Sequence, residues 1–384
     1  MERRLIHVIT PGDHYSPRTG SAVPTVVHGL SAHAPAGTEP TVLVARGTYP
    51  DRYTSADVVE YLPGTEPGRW DRRLDPLRGA LGVRRASSRP WAAALHDQDE
   101  WPPSVVVLHN APQAVPLVDT TRHAVVLYAH NELLRTYSPR EAARTLGGVT
   151  AVVCVSDFLA ERTRRRLPPA LRDRVAVVRN GVDGTVFRPG RRDASAPLEV
   201  TFVGRTIAAK GPDVLLEAVA LMDRDDVHVT IVGSSGFSAT DPLTPYERRV
   251  RAAAEGLRDR VTIRPFLPRE AVADQLATTD VVVVPSVWPE PFALTVLEGM
   301  AAGAAVVASR TGGIPEAVAD GGTLVPPGDP RALADALQVL ADSPDRLAAE
   351  QDRARRRAAE RPWSVVSAEL DALLAARLDG QVTA

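Results

Sequence analysis

Lys210 is the single lysine of the chain; every other basic residue except the histidines is arginine. It lies in Val203-Gly-Arg-Thr-Ile-Ala-Ala-Lys-Gly-Pro212, where an apolar run ends, a loop carries Arg205 and Lys210, and Pro212 suits the first position of a helix. Ligands of parallel α/β sheets bind at the carboxyl ends of strands. Two cations there, beside the amides of a helix start, would make a site for a diphosphate. A compact ammonium reaches a phosphate oxygen in a space too tight for the planar guanidinium fork, so this lysine has a local reason to persist.

A second segment, Pro285-Ser-Val-Trp-Pro-Glu-Pro-Phe-Ala-Leu-Thr-Val-Leu-Glu298, runs from an apolar strand through a proline-rich turn into a helix that opens near Ala293. The amides of Phe292, Ala293 and Leu294 would point toward an anion. Glu290 lies in the turn. Glu298 falls among Leu294, Val296, Leu297 and Met300, where an unpaired carboxylate is expensive. Hydroxyl donors such as those of a ribose would satisfy it.

These loops need strands to hold them. Apolar, β-branched runs predict seven strands in the first half: Leu5–Thr10, Thr41–Ala45, Asp57–Leu62, Ser104–His109, Ala124–Ala129, Ala151–Val155 and Val175–Val178. Six follow in the second half, at Glu199–Val203, His228–Val232, Val261–Arg264, Val281–Pro285, Ala305–Ala308 and Thr323–Val325. Runs apolar on both faces, alternating with helical stretches, indicate parallel sheets covered by helices on both sides. The polar, proline-bounded stretch Gly190–Pro197 reads as a linker. Two Rossmann-like domains are therefore expected, 1–190 and 191–360, followed by a helix in 361–384 that carries Leu370, Leu373 and Leu374 on one face and packs back on the first domain.

The residues at these positions resemble the retaining family 4 glycosyltransferases of GT-B fold. The resemblance rests on Glu290-x7-Glu298 with Pro291-Phe292, on Gly204-Arg205…Lys210-Gly211, and on Asn180-Gly-Val-Asp183 with Phe187. Gly312-Gly-Ile-Pro-Glu316 and Leu324-Val-Pro-Pro-Gly328 extend it over the second domain; Gly20, His130 and Val155-Ser156 match more loosely in the first. It implies two Rossmann-like domains with parallel sheets facing across an interdomain cleft, the first binding the acceptor and the second the nucleotide sugar.

What the resemblance implies for each position is specific. Arg205 and Lys210 would grip the diphosphate, Glu298 would bind the ribose, and Glu290 would orient the donor sugar. Phe292, Ala293 and Leu294 would offer backbone groups to sugar or phosphate oxygens. Gly20 would approach the phosphates, His130 would reach the transferred sugar, and Arg264, Phe266 and Leu267 would flank the base. His14, on the loop after the first strand, and His109, at a strand end, are candidates to line the acceptor site. Lys210→Ala is expected to cut turnover sharply with modest harm to folding.

Composition narrows the partners. With 45 basic and 47 acidic residues the formal charge is −2, against a nucleic-acid binder driven by bulk charge. A lone cysteine, Cys154, and the absence of any Cys/His cluster leave no zinc site, and no metal cofactor is expected. Asp97-Gln-Asp99 reads as a solvated loop. The start of the chain has no leader-like segment and no 18-residue apolar run occurs, so a cytoplasmic protein is expected. The basic stretch 69–91 has tryptophans near both ends, but Asp71, Asp75, Pro76 and Gly79 should interrupt a long amphipathic helix, which favours solvent exposure over membrane contact.

The expected activity is a hexosyl or N-acetylhexosaminyl transfer, with retention, from a UDP-sugar to a small hydrophilic acceptor. An aminocyclitol of the kind found in aminoglycoside antibiotics is the first expectation. A cell-envelope or lipid-linked acceptor is the alternative. A sugar-nucleotide epimerase and a non-catalytic nucleotide-sugar-binding subunit are the readings from other classes.

Overall fold

The structure, a computed structural model, describes residues 3–190 and 196–382. The chain forms two compact units. The first runs to Arg179 and resumes at Trp363; the second is Asn180–Pro362.

All thirteen expected strands are present. The first unit holds β1 (Arg3–Val8), β2 (Thr38–Ala45), β3 (Asp57–Tyr61), β4 (Ser104–His109), β5 (Ala124–Ala129), β6 (Ala151–Cys154) and β7 (Val175–Val177). They form one parallel sheet in the order β3-β2-β1-β4-β5-β6-β7. The second unit holds β8 (Leu198–Val203), β9 (Val227–Val232), β10 (Val261–Arg264), β11 (Val281–Val284), β12 (Ala305–Ser309) and β13 (Thr323–Val325). Its parallel order is β10-β9-β8-β11-β12-β13. Both orders reverse direction once, between β1 and β4 and between β8 and β11, the doubly wound arrangement that leaves a crevice at the strand ends. The valines of β11 are buried on both faces, each contributing roughly 1.5–3 kcal/mol on burial.

The division falls earlier than expected. Val182 N–H donates to the Arg361 carbonyl (2.9 Å) and forms a bridge with Pro362, while Phe187 is buried in the core of the second unit. Gly190 N–H donates to the Ala277 carbonyl (3.0 Å). Residues 180–190 therefore belong to the second unit, and the expected linker lies inside it, with 191–195 outside the described residues. The helix Trp363–Val382 packs against α1 (Ala22–Ala32) of the first unit. Leu370 and Leu374 are buried and Leu373 half-buried. A Cβ on Gly29 would stand 2.2 Å from the Trp363 ring, so only glycine lets the indole lie on α1 at this distance.

A second correction concerns 69–91. A continuous helix, α2 (Arg69–Ala80), runs through Pro76. A proline inside a helix costs about 3 kcal/mol; the hydrogen bonds that Asp75 accepts from Ala86 and Ser87 N–H offset part of that.

Candidate functional site

The switch point of the second sheet brings two loops together. The loop after β8 ends in a short turn, Ala208–Lys210, and then Gly211 at φ +69° starts the helix Pro212–Leu221. A Cβ on Gly211 would lie 2.2 Å from the Pro285 carbonyl oxygen, in the loop after β11. The same loop donates Val287 N–H to the Ala209 carbonyl (3.0 Å). This backbone stitching delivers the Lys210 ammonium to the Glu290 carboxylate, with Nζ 2.7 Å from Oε2.

Glu290 is buried and held from several directions. Its Oε1 accepts a short hydrogen bond from the Ser286 hydroxyl. Its carbonyl accepts from Gly313 N–H (2.6 Å), and Gly312, at φ +59°, leaves no room for a Cβ, which would stand 2.2 Å from that carbonyl oxygen. Loops after β8 and β12 thus converge on this residue of the loop after β11, the first on its carboxylate and the second on its backbone carbonyl.

The helix Leu294–Ala301 begins beside this pair. Its N-cap, Ala293, supplies no side-chain bond, and no acidic residue occupies its first turn; Val296 N–H donates to the Ala293 carbonyl (3.2 Å), which leaves the N–H groups of Leu294 and Thr295 to face an anion. Ala293 is buried and Phe292 packs partly against the core. Glu298, four residues into this helix, is buried and accepts from Arg269 Nη1 at 2.7 Å. The Arg269 guanidinium lies 4.7 Å over the Phe187 ring. The apolar setting of Glu298 predicted a donor; the donor found is an arginine 29 positions away, which no local pattern announces. Glu298 Oε2 has no protein partner among the described residues.

Arg205 is placed differently from Lys210. It is exposed, donates through Nε to the Ser235 carbonyl (2.9 Å), and lies 5.9 Å over the Phe237 ring. Phe237 meets Phe266 edge to face at 6.4 Å, and Phe266 N–H donates to the Ser234 hydroxyl at 3.0 Å. Arg264 is exposed and Leu267 is half-buried against the core. The structure therefore joins Lys210 with Glu290, and Arg205 with two exposed-edge aromatic rings after β9 and β10. Sequence reasoning missed Arg269, Ser286 and Phe237; a serine four positions before a buried glutamate was the one available hint.

In the first unit three imidazoles form a row along adjacent strands. His7 on β1 has Nδ1 3.0 Å from His109 Nε2, and His109 Nδ1 lies 2.9 Å from His130 Nε2. Tyr128 stacks on His130, centroids 4.7 Å apart, and the His130 backbone N–H donates to the Asn110 amide oxygen at 2.8 Å. Burial lowers His7 to about 4. Burial, followed by repulsion from His7, lowers His130 to about 3. Burial, then His130 and His7, holds His109 well below its usual value.

Three uncharged rings carry three ring protons, and two of these fill the two N···N bonds. His7 Nε2 is buried without a partner among the described residues. A stranded lone pair is better tolerated than a stranded N–H, so the favoured order puts the third proton on His130 Nδ1, at the outer end of the row. His109, expected to line the acceptor site, is fully buried with both nitrogens engaged; it can orient His130 but cannot touch an acceptor. His14 is half-buried, stacks on Tyr49 at 3.8 Å and accepts from Tyr49 N–H at 3.0 Å. Gly20 is exposed just before α1. Asp97 and Asp99 sit on an exposed turn, and among the described residues no three His, Cys, Asp or Glu side chains gather to hold a metal ion.

Comparison with known proteins covers both units. Residues 23–185 match the family described as glycosyltransferase family 4, and residues 187–361 match glycosyl transferases group 1. D-inositol 3-phosphate glycosyltransferase of Thermobispora bispora is 37% identical over 279 residues, 67% of this chain and 64% of that protein. The Rhodococcus opacus enzyme of the same name is 37% identical over 65% of this chain and 59% of its own length. The chain thus aligns with less than two thirds of the length of these relatives. Among solved structures, Anabaena HepE in complex with UDP and glucose superposes with a TM-score of 0.72 at 18% identity, covering 97% of this chain and 99% of that one. Sucrose-phosphate synthase of Thermosynechococcus elongatus gives 0.74 at 20% identity, covering 98% and 100%.

Proposed function

Because this chain belongs to the family 4 glycosyltransferases of GT-B fold, we propose that it moves a hexosyl or N-acetylhexosaminyl group from a UDP-sugar to a hydroxyl of a small hydrophilic cyclitol. The observation that carries this reading is the Lys210–Glu290 pair at the switch point, next to a helix start that no side chain caps. The names of the relatives support a cyclitol acceptor, and a structural neighbour bound to UDP and glucose supports the donor. We place the reaction in the cytoplasm.

In this proposal the donor diphosphate lies against the first amides of Leu294–Ala301, and Lys210 turns part of its charge from Glu290 to a phosphate oxygen. Glu290, already desolvated, accepts from hydroxyls of the donor sugar, and Glu298 Oε2 accepts from a ribose hydroxyl. Arg205, swinging from Ser235, adds a second cation to the diphosphate, while Phe266 flanks the base. His130 donates through Nδ1 to an oxygen of the transferred sugar.

The bond from the anomeric carbon to the diphosphate breaks as the acceptor oxygen bonds to the same face. The acceptor proton passes to the departing phosphate oxygen, so configuration is retained with no enzyme nucleophile. Fixed cations and amides aimed at the developing negative charge supply the main stabilisation. No metal is required, and turnover should survive EDTA.

UDP-, GDP- and TDP-sugars, each offered with and without inositol phosphate or an aminocyclitol, test the proposal through free nucleotide and the anomeric configuration of the product. UDP release that needs a cyclitol and gives a retained linkage supports it. No release with any donor, or an inverted product, refutes it. An altered donor sugar formed without acceptor identifies an epimerase instead, and donor binding without turnover identifies a binding subunit.

A further inference from the structure

Helix α2 is built inside out. The side that meets the rest of its unit is polar: Asp75 is buried and accepts from Ala86 N–H (2.6 Å) and Ser87 N–H (3.1 Å). Arg144 donates to the Gly79 carbonyl at 2.7 Å, and a Cβ on Gly79 would stand 1.7 Å from the Glu141 carboxylate. The opposite side is apolar and open to solvent. Trp70 is 71% exposed, Leu74 46%, Leu77 57% and Leu81 72%. Their spacing of four, three and four places them in one stripe along the helix.

Both signs of charge occur in this stretch, but the charge left unpaired is basic. Arg72, Arg78 and Arg89 pair with Glu66 or Asp71. Arg69, Arg73 and Arg84 are exposed and have no carboxylate partner among the described residues; the Arg73 guanidinium lies 5.2 Å over the Trp70 ring. An exposed tryptophan–leucine ridge with free guanidinium groups beside it has the make-up of an interfacial helix.

We propose that α2 seats this unit on an anionic lipid bilayer, with the apolar stripe entering the headgroup layer and Arg69, Arg73 and Arg84 meeting lipid phosphates. A plane of phosphates over hydrocarbon meets stripe and cations together. A second copy on the same face would set three uncompensated arginines against three more. The contact is peripheral: among the described residues no helix is long and apolar enough to cross a membrane. None of these residues belongs to the donor site.

Vesicles of phosphatidylcholine with 30% phosphatidylglycerol, against pure phosphatidylcholine, test it by co-sedimentation in low and high salt. Each arginine near an anionic surface gives about a fivefold gain in partition, so three predict binding about a hundredfold tighter to the charged vesicles, weakened by salt. Trp70→Ser/Leu77→Ser and Arg69→Gln/Arg73→Gln/Arg84→Gln, all at exposed positions, should each lower binding at least about tenfold while circular dichroism and melting stay unchanged. Lys210→Met should bind as the parent does, which separates this proposal from the donor site. Equal binding to both vesicles, no binding, or undiminished binding of the variants overturns it. So does a dimer in sedimentation equilibrium that the stripe variant dissolves, which would assign the face to a second copy.

Discussion

Replacing Lys210 by methionine tests the pair at the centre of the site, because its effects on stability and on turnover separate. Lys210 is 27% exposed and the Glu290 side chain 4%. Removing one partner of a fully buried ion pair costs about 3–5 kcal/mol. Here the ammonium reaches water and the Ser286 hydroxyl still serves Glu290, which brings the cost to about 2 kcal/mol. For a unit of this size that lowers Tm by roughly 4–8 °C. This exceeds the modest harm to folding expected from the sequence for loss of a diphosphate-gripping Lys210, since the stranded group is a buried carboxylate. Glu290→Gln leaves the lysine free to turn to solvent and should cost about 1 kcal/mol. The double variant strands no charge, so its loss should not exceed the larger single loss, a coupling of about 1 kcal/mol or more. Calorimetry of the four proteins, with nucleotide release from a UDP-sugar, reads both properties. The double variant should lose no more stability than Lys210→Met alone, while all three variants lose at least about tenfold in turnover. Additive losses in Tm, or a Lys210 variant with normal turnover, would refute the reasoning.

Three other expectations are independent of that cycle. Arg269→Gln removes the donor held to Glu298 Oε1 and should destabilise the second unit by about 2 kcal/mol, with weaker UDP binding by calorimetry; unchanged melting and affinity would show that the ion pair does no positioning. Gly312→Ala forces a Cβ to within 2.2 Å of the Glu290 carbonyl at φ +59°, and should lower Tm and turnover together, whereas turnover at the parent level would mean the loop yields freely. The histidine row should make the first unit acid-sensitive. Its rings are depressed in the folded state, His7 to about 4 and His130 to about 3, so below the ordinary value the unfolded chain binds more protons and stability falls as pH falls. Going from pH 7.5 to 5.5 should cost about 1.4 kcal/mol per ring, or about 4 kcal/mol for three. Urea denaturation at the two pH values checks this, and equal stability at both would sink it.

Much of the second unit is legible in the chain because its pattern is local. Val281–Val284 is apolar on both faces, and a strand followed by a cation-bearing loop announces a strand-end site. Glu290 and Lys210 could be chosen by residue type, yet their contact spans 80 positions and depends on backbone stitching between two loops. Glu298 signalled a need for donors but not that Arg269 would meet it. The expected boundary at 190 followed the composition of Gly190–Pro197, whereas Val182 and Phe187 had already committed the chain to the second unit. His109 shows the reach of strand-end reasoning: its place at the end of β4 is legible, and its burial between two other imidazoles is not. In α2, amphipathicity reveals two faces without saying which one turns inward; Asp75, capping two backbone N–H groups, decides it.

The bridge between Val182 and Pro362 makes the second unit an insertion whose two ends lie side by side. During synthesis, all of Asn180–Pro362 therefore leaves the ribosome before Trp363 can settle on Gly29. The inserted half can reach its native state while its host still lacks a closing helix, and the helix that completes the first unit is translated only after the whole of the second.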